Sequence, residues 1–185
     1  MEAEDFIMGS EVMINTVTER ALDAIGNYEA LIVSLRIAAD VDTALLAEIY
    51  RDSRVEEMQQ VSHWGDAEKT EFLNFQFNAQ YVHYRQYYPG AEYLIIEYNG
   101  LDVGRLFIER REQEMCIMDI AILHPYRRRG LARKLITELL AEACQKHQRV
   151  VLHVEPDNVA KRLYIALGFK VVGEISFYQR MEWQG

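Results

Sequence analysis

Cysteine is scarce in this chain of 185 residues, which has only two. Cys116 and Cys144 show neither metal-ligand spacing nor a disulfide framework, so a metal-organised or disulfide-stapled fold is not expected. Both fall in apolar-periodic segments and read as buried free thiols. Long apolar runs are missing too: none approaches the roughly 20 residues that span a bilayer. The start, Met1-Glu2-Ala3-Glu4-Asp5, lacks the basic and apolar stretches of a secretory signal, so cytoplasmic residence without membrane attachment is the expectation. Basic charge is in deficit. A formal net charge of −9 argues against nucleic acid as a partner and favours a cationic one. One dense basic cluster stands out, Arg127 to Arg129 with Arg133 and Lys134, short enough to suit a small polyanion. With 50% hydrophobic and 26% charged residues, the composition is that of a globular domain able to bury a core.

Two parts are expected. In residues 1–30, Val17, Ala21, Ala24 or Ile25, and Tyr28 recur at helical spacing, which reads as a peripheral helix or as a poorly ordered extension. Residues 31–185 read as one domain. Leu31 to Ile37 reads as a strand, followed by a helix from Asp40 or Asp42 to about Asp52. A long helix runs from about Ala67 to Tyr87 and ends at Pro89-Gly90. Glu92–Tyr98 and Leu101–Arg110 flank Asn99-Gly100, a dipeptide whose tolerance of positive φ favours a tight hairpin. Met115–Leu123 is the next strand. Leu131, Leu135, Ile136, Leu139, Leu140 and Ala143 then repeat every three to four residues, so a helix reaches about His147. A strand at Val150–Val154, a helix at Asn158–Leu167 and a strand pair at Lys170–Ile175 and Phe177–Trp183 complete the order. The strand-helix-strand unit over 115–154 implies a right-handed parallel crossover between antiparallel flanks. The fold class is therefore α/β, a mixed and mostly antiparallel sheet with a central parallel pair, flanked by helices.

The chemistry concentrates after the strand Asp119-Ile120-Ala121-Ile122-Leu123. There, Tyr126-Arg127-Arg128-Arg129-Gly130-Leu131-Ala132 opens the long amphipathic helix. Unpaired amides and the positive helix end at the C-terminal edge of a strand make a site for phosphate oxygens. Gly130 and Ala132 are small enough to let the backbone approach a ligand. Two other phosphate loops are absent: there is no Gly-x-x-x-x-Gly-Lys-[Ser/Thr] and no Gly-x-Gly-x-x-Gly.

Arg127, Gly130 and Ala132 match the pattern [Arg/Gln]-x-x-Gly-x-[Gly/Ala], and Asn158 to Phe169 is similar to Asn-x-Ala-x-x-Leu-Tyr-x-x-x-Gly-Phe. In these two motifs the sequence resembles the GNAT superfamily of N-acetyltransferases. The resemblance implies acetyl-CoA as acyl donor. It would be held by the turn Arg127, Arg128, Arg129, Gly130, Leu131 and Ala132, by strand residues Ile122 and Leu123, and by Asn158, which as an ordinary N-cap is the alternative. It also implies Tyr164 as general acid. Arg128 stands where the family usually has glycine, Ala132 replaces a second glycine, and His124 precedes a displaced Pro125.

For the base step, Asp119 is the first candidate because it is the odd carboxylate in an apolar strand; its alternative role is to hold an arginine such as Arg105. His153, Glu155 and Glu109 are further candidates. Met58 to Tyr88 is expected to govern the acceptor, with Gln76, Gln80, His83 and Tyr84 on one helix face. The implied function is acetyl transfer to a primary amine of a small molecule or peptide by direct attack, with no metal. The alternative is a non-catalytic acyl-CoA-binding regulatory module. The paired C-terminal strands offer a surface for a homodimer.

Overall fold

The structure, a computed structural model, describes residues 32–185; the extension read over residues 1–30 lies outside the described residues. Strand β1 (Val33–Ile37) leads through a 3-10 turn into α1 (Thr43–Ser53), α2 (Val55–Met58) and the long α3 (Asp66–Tyr87). The meander β2 (Ala91–Tyr98), β3 (Leu101–Arg110) and β4 (Glu114–Ile122) follows. Then come α4 (Leu131–Gln145), β5 (Arg149–Val154), α5 (Lys161–Ala166), β6 (Lys170–Ile175) and β7 (Tyr178–Trp183). One seven-stranded sheet in the order β1-β2-β3-β4-β5-β7-β6 results. Its neighbours are antiparallel except β4 and β5, which α4 joins as a parallel pair.

Local chemistry explains the boundaries. Asn99 and Gly100 take φ of 51° and 77°, the two positive values that a twisted hairpin turn needs. At the head of α3, Glu68 accepts the Gly65 amide at 2.7 Å, and Asp66 and Glu68 face the positive helix end. Gly104 is there because β3 and β4 come close: a Cβ at that position would stand 2.4 Å from the Ala121 carbonyl oxygen.

Both faces of the sheet are covered. Leu131, Leu135, Ile136 and Leu139 of α4 bury one face against Leu94, Ile96, Leu106, Ile108, Ile117 and Leu152. Leu46 and Tyr50 of α1, with Leu73 and Phe77 of α3, bury the other against Tyr93, Ile95 and Phe107. Consecutive residues of β2 thus alternate between two cores, which is why that strand is apolar without interruption over Tyr93–Ile96. Among the described residues, no helix is long and apolar enough to cross a membrane.

Two expectations need correction, and one element is additional. Cys116 is buried but Cys144 is exposed, because Ala143 takes the core-facing position and the next residue turns about 100° away. The helix expected over Asn158–Leu167 is regular only over Lys161–Ala166: the Asn158 side chain accepts the Ala160 amide at 2.9 Å as a cap does, and the chain then opens with tight i→i+3 turns from Asn158 to Leu163. The short helix α2 has no counterpart in the sequence reading.

Arg110 links α4 to the sheet. Its Nε and Nη2 each donate to Glu142 at 2.8 Å, and its Nη1 reaches Glu92. The Arg110 hydrogen bonds, with Lys146 adding to them against the opposing cost of burial, bring the Glu142 pKa down from 4.5 to about 2. A depressed carboxylate pKa contributes stability above the unfolded value and loses it as pH falls through the folded one. Glu142→Gln should therefore lower the unfolding free energy at pH 7 by about 1 kcal/mol, allowing for partial exposure. In urea titrations, the gap from the parent protein should close as pH drops from 4.5 toward 2. A gap independent of pH would contradict the link.

Candidate active site

The two parallel strands at the centre of the sheet part company. β4 and β5 pair from Glu114↔Arg149 to Ile117↔Leu152 and no further. Yet β4 stays on β3 as far as Ile122↔Gly104, and β5 stays on β7 as far as Val154↔Gln179. A wedge therefore opens between them, and the edge of β4 facing it has no ladder partner from Met118 to Ile122. The cause lies in the register of β3 and β4: Phe107 faces Asp119 while Ile108 faces Ile117, so Met118 is an extra residue. A bulge of this kind bends its strand and re-aims the residues after it.

The turn after β4 closes the head of the wedge. Arg128 has φ 63° and Gly130 has φ 81°, and the chain then enters α4. The first bond within that helix is Lys134 N–H to the Gly130 carbonyl at 2.9 Å. The amides of Leu131, Ala132 and Arg133 consequently have no partner inside the helix, and they sit at its positive end. Nothing lies within 4 Å of where a Gly130 Cβ would be, so this side of the turn is open. Such a helix start is suited to anionic oxygens.

The three arginines of the turn differ. Arg127 points inward, donating from Nε to the Ile122 carbonyl at 2.7 Å and from Nη2 to the Asp52 backbone and carboxylate. Asp52 also accepts the His124 amide at 3.0 Å, so the end of α1 and the turn brace each other. Arg129 donates to the Pro125 carbonyl at 3.2 Å and lies over the rings of Tyr98 and Tyr126. Arg128 and Arg129 are more open to solvent than Arg127. Ile122 and Leu123 are half-buried at the upper end of β4.

Asp119 leans toward the α1 and α3 side, where its Oδ2 lies 2.5 Å from Nη2 of Arg105. Arg105 is 2% exposed; it donates to the Leu46 carbonyl at 3.2 Å and packs over Tyr50 and Phe107. Arg105 is the partner that the sequence suggests for Asp119. On the other side of the wedge, Tyr164 is buried and packs edge-on against Phe169. Burial, with a smaller push from the Asp119 carboxylate, raises its phenol to about 12. Asn158 shapes the turn before α5.

Two of the remaining base candidates are ion-paired. Glu109 pairs with Arg111. Glu155 lies 3.5 Å from Arg54. His153 has its pKa lowered, first by burial and then by Arg180. Of the residues expected on the acceptor segment, Gln76 accepts from the Tyr50 hydroxyl at 3.4 Å, Gln80 and Tyr84 are half-buried, and His83 is exposed. Asp52 and Arg54 are not legible in the sequence; as a lone acid and base near a helix end they carry no pattern.

Residues 89–171 match the family model for the acetyltransferase (GNAT) domain. Over that stretch, somewhat under half of its length, the chain is similar to a GNAT acetyltransferase domain, and its seven-stranded mixed sheet with one parallel pair flanked by helices matches the fold of that class. Among solved structures, it is similar to the PaiA N-acetyltransferase from Thermoplasma acidophilum in complex with coenzyme A. The identity is 14% and the TM-score 0.62, over 83% of this chain and 99% of that one. An acetyltransferase from Thermus thermophilus gives 16% identity and a TM-score of 0.60, over 83% and 97%. The ribosomal-protein-S18-alanine N-acetyltransferase from Escherichia coli gives 17% and 0.54, over 82% and 93%. At such identities the likeness is one of fold. No curated protein sequence matches the chain.

The left-handed backbone at Gly130 has a measurable consequence. Gly130→Ala meets no steric obstacle but places a side chain at positive φ, so it should cost about 1 kcal/mol. Chemical denaturation reads that loss directly; an unchanged midpoint would show that the turn relaxes elsewhere.

Proposed function

We propose that the protein transfers the acetyl group of acetyl-CoA to a primary amine of a small molecule or peptide, by direct attack in a ternary complex. The observation that carries this reading is the wedge between β4 and β5, headed by the free amides of α4. The residues fit the donor. Amides of Leu131, Ala132 and Arg133 suit a diphosphate, with Arg128 and Arg129 adding charge at the rim. The unpaired edge of β4 suits the amide-bearing pantetheine arm, since open strand backbone seeks hydrogen-bond partners. Arg127 serves by shaping the turn rather than by touching the ligand. Acetyl-CoA supplies an activated acyl group on sulfur.

The chain's own residues then have three tasks. They must present an uncharged amine, place it against the thioester carbon and protonate the departing sulfur. As the carbon–nitrogen bond forms and the carbon–sulfur bond breaks, Tyr164 gives its hydroxyl proton to the sulfur, and the proton shed by the new amide nitrogen restores the phenol. A phenol near 12 is fully protonated at neutral pH and thus always loaded. An acyl-enzyme route is disfavoured, because burial pushes the Cys116 thiol up to about 11 and Cys144 lies far along α4, exposed at the end away from the turn. Asp119 supports the amine step as a fixed carboxylate, with Arg105 holding it in place.

Free coenzyme A release over a chemically diverse amine panel tests the reading. Coenzyme A binding without release on any amine would favour a regulatory acyl-CoA-binding module. Tyr164→Phe should lower kcat by about 10²–10⁴ while leaving coenzyme A affinity nearly intact; wild-type turnover would remove Tyr164 from the mechanism. The pH profile follows from the signs. An acceptor with a lysine-like pKa near about 10.4 must lose a proton, so kcat/KM should rise about tenfold per pH unit below that value. Tyr164 should impose no falling limb below about pH 10. A decline beginning near neutrality would contradict its role as acid.

A further inference from the structure

Asp119 has one side occupied and one side open. Its Oδ2 lies against the buried guanidinium of Arg105, while 20% of the side-chain surface remains accessible. A carboxylate presents two oxygens, so the contact with Arg105 leaves acceptor capacity unused. Register places Phe107 directly opposite Asp119 on the same face of the sheet, and the Tyr84 ring packs edge-on over Phe107 at 6.4 Å. Tyr84 and Asp119 therefore both adjoin Phe107 on the α1 and α3 side of the sheet. Burial, followed by the Asp119 carboxylate, raises the Tyr84 phenol, while Arg105 opposes the rise and Tyr178 adds to it. Tyr84 and Tyr164 both lie within the field of Asp119.

The charges nearby are not those of an anion site. Arg54 lies over Tyr50, but Glu57 at 2.6 Å and Glu155 at 3.5 Å neutralise it. Arg105 is matched by Asp119. With Arg85, which lies over Tyr81 and Tyr93, three guanidiniums stand among three carboxylates, so no net positive charge gathers there, and the overall charge is −9. Tyrosine faces beside a carboxylate are the arrangement that attracts an organic cation.

We propose that Asp119 and Tyr84 form the seat for the acceptor's ammonium head, which makes a compact cationic primary amine the substrate class and Tyr84 a specificity-determining residue. This rests on the acetyltransferase reading above and adds to it which groups meet the acceptor. Arg105 fixes the carboxylate, Asp119 attracts the cation, and the Tyr84 ring excludes bulk beside it. The phenol hydroxyl of Tyr84 is not required; its ring is.

The test uses tetramethylammonium, a cation that cannot be acetylated, and tert-butanol, a neutral body of similar shape, titrated by NMR into the full chain with and without saturating coenzyme A. Wild-type protein should bind the cation saturably and the alcohol not at all. Tyr84→Ala and Asp119→Asn should each weaken cation binding about tenfold or more, and Tyr84→Phe by no more than about threefold. Coenzyme A affinity should stay unchanged in all three. Tyr84→Ala guards against misfolding of the Asp119 variant, since it leaves the buried ion pair intact. Equal binding of cation and alcohol, no cation binding by a protein that binds coenzyme A, or an unchanged constant in Tyr84→Ala would each overturn the seat. A cation site behaving as described in a protein that fails to bind coenzyme A would instead overturn the acetyltransferase reading and leave the seat standing.

Discussion

Two parallel strands that pair for four residues and then separate determine what this domain can hold. Separation needs an extra residue, Met118, which bends β4 away from β5. It also needs each strand to have another neighbour, or the bend would unravel the sheet. β3 holds β4 and β7 holds β5 along the whole opening. The two cores, one under α4 and one under α1 and α3, then fix both walls from opposite sides. The wedge is therefore preformed, and its unpaired backbone is as much a part of the site as any side chain.

The end of α1 adds a second constraint. Asp52 engages the turn after β4 through Arg127 and the His124 amide, and Arg54, just beyond the helix, approaches Glu155 after β5. One segment thus touches both lips of the wedge. This arrangement explains why Arg127 faces inward: the turn must keep its left-handed residues in place, and a guanidinium tied to Ile122 and Asp52 does so. On the proposed reading, charge toward the acyl donor is left to the arginines that follow it and to the helix amides.

Much of the fold was legible because local chemistry and tertiary packing agree. Asn99-Gly100 announces its hairpin, Pro89-Gly90 ends α3, and the three-to-four spacing from Leu131 to Ala143 gives α4 its buried face. The parallel β4–β5 unit followed from chain order alone. What escaped the sequence depends on distant neighbours. The Met118 bulge is a mismatch between two strands and leaves no mark in either one. Asn158 has the residue type of a helix cap and bonds as one, yet the tight turns between it and α5 leave no mark in the sequence. Cys144 follows the apolar rhythm by adjacency, yet the helix turns it outward. For Asp119, the odd carboxylate in an apolar strand was visible and so was Arg105, but their contact is set by the pairing of β3 with β4. Tyr84 stood on a polar-aromatic helix face without any sign of which carboxylate it would meet.

The central proposal is that backbone amides at the start of α4, rather than arginine side chains, hold the diphosphate of the acyl donor within the wedge. A crystal structure of the full chain with coenzyme A tests it most directly. The expected result has diphosphate oxygens about 2.7–3.2 Å from the amides of Leu131, Ala132 or Arg133, and the pantetheine arm along β4 between Met118 and Ile122. Coenzyme A bound elsewhere, or held by arginines with those amides turned to solvent, would contradict it.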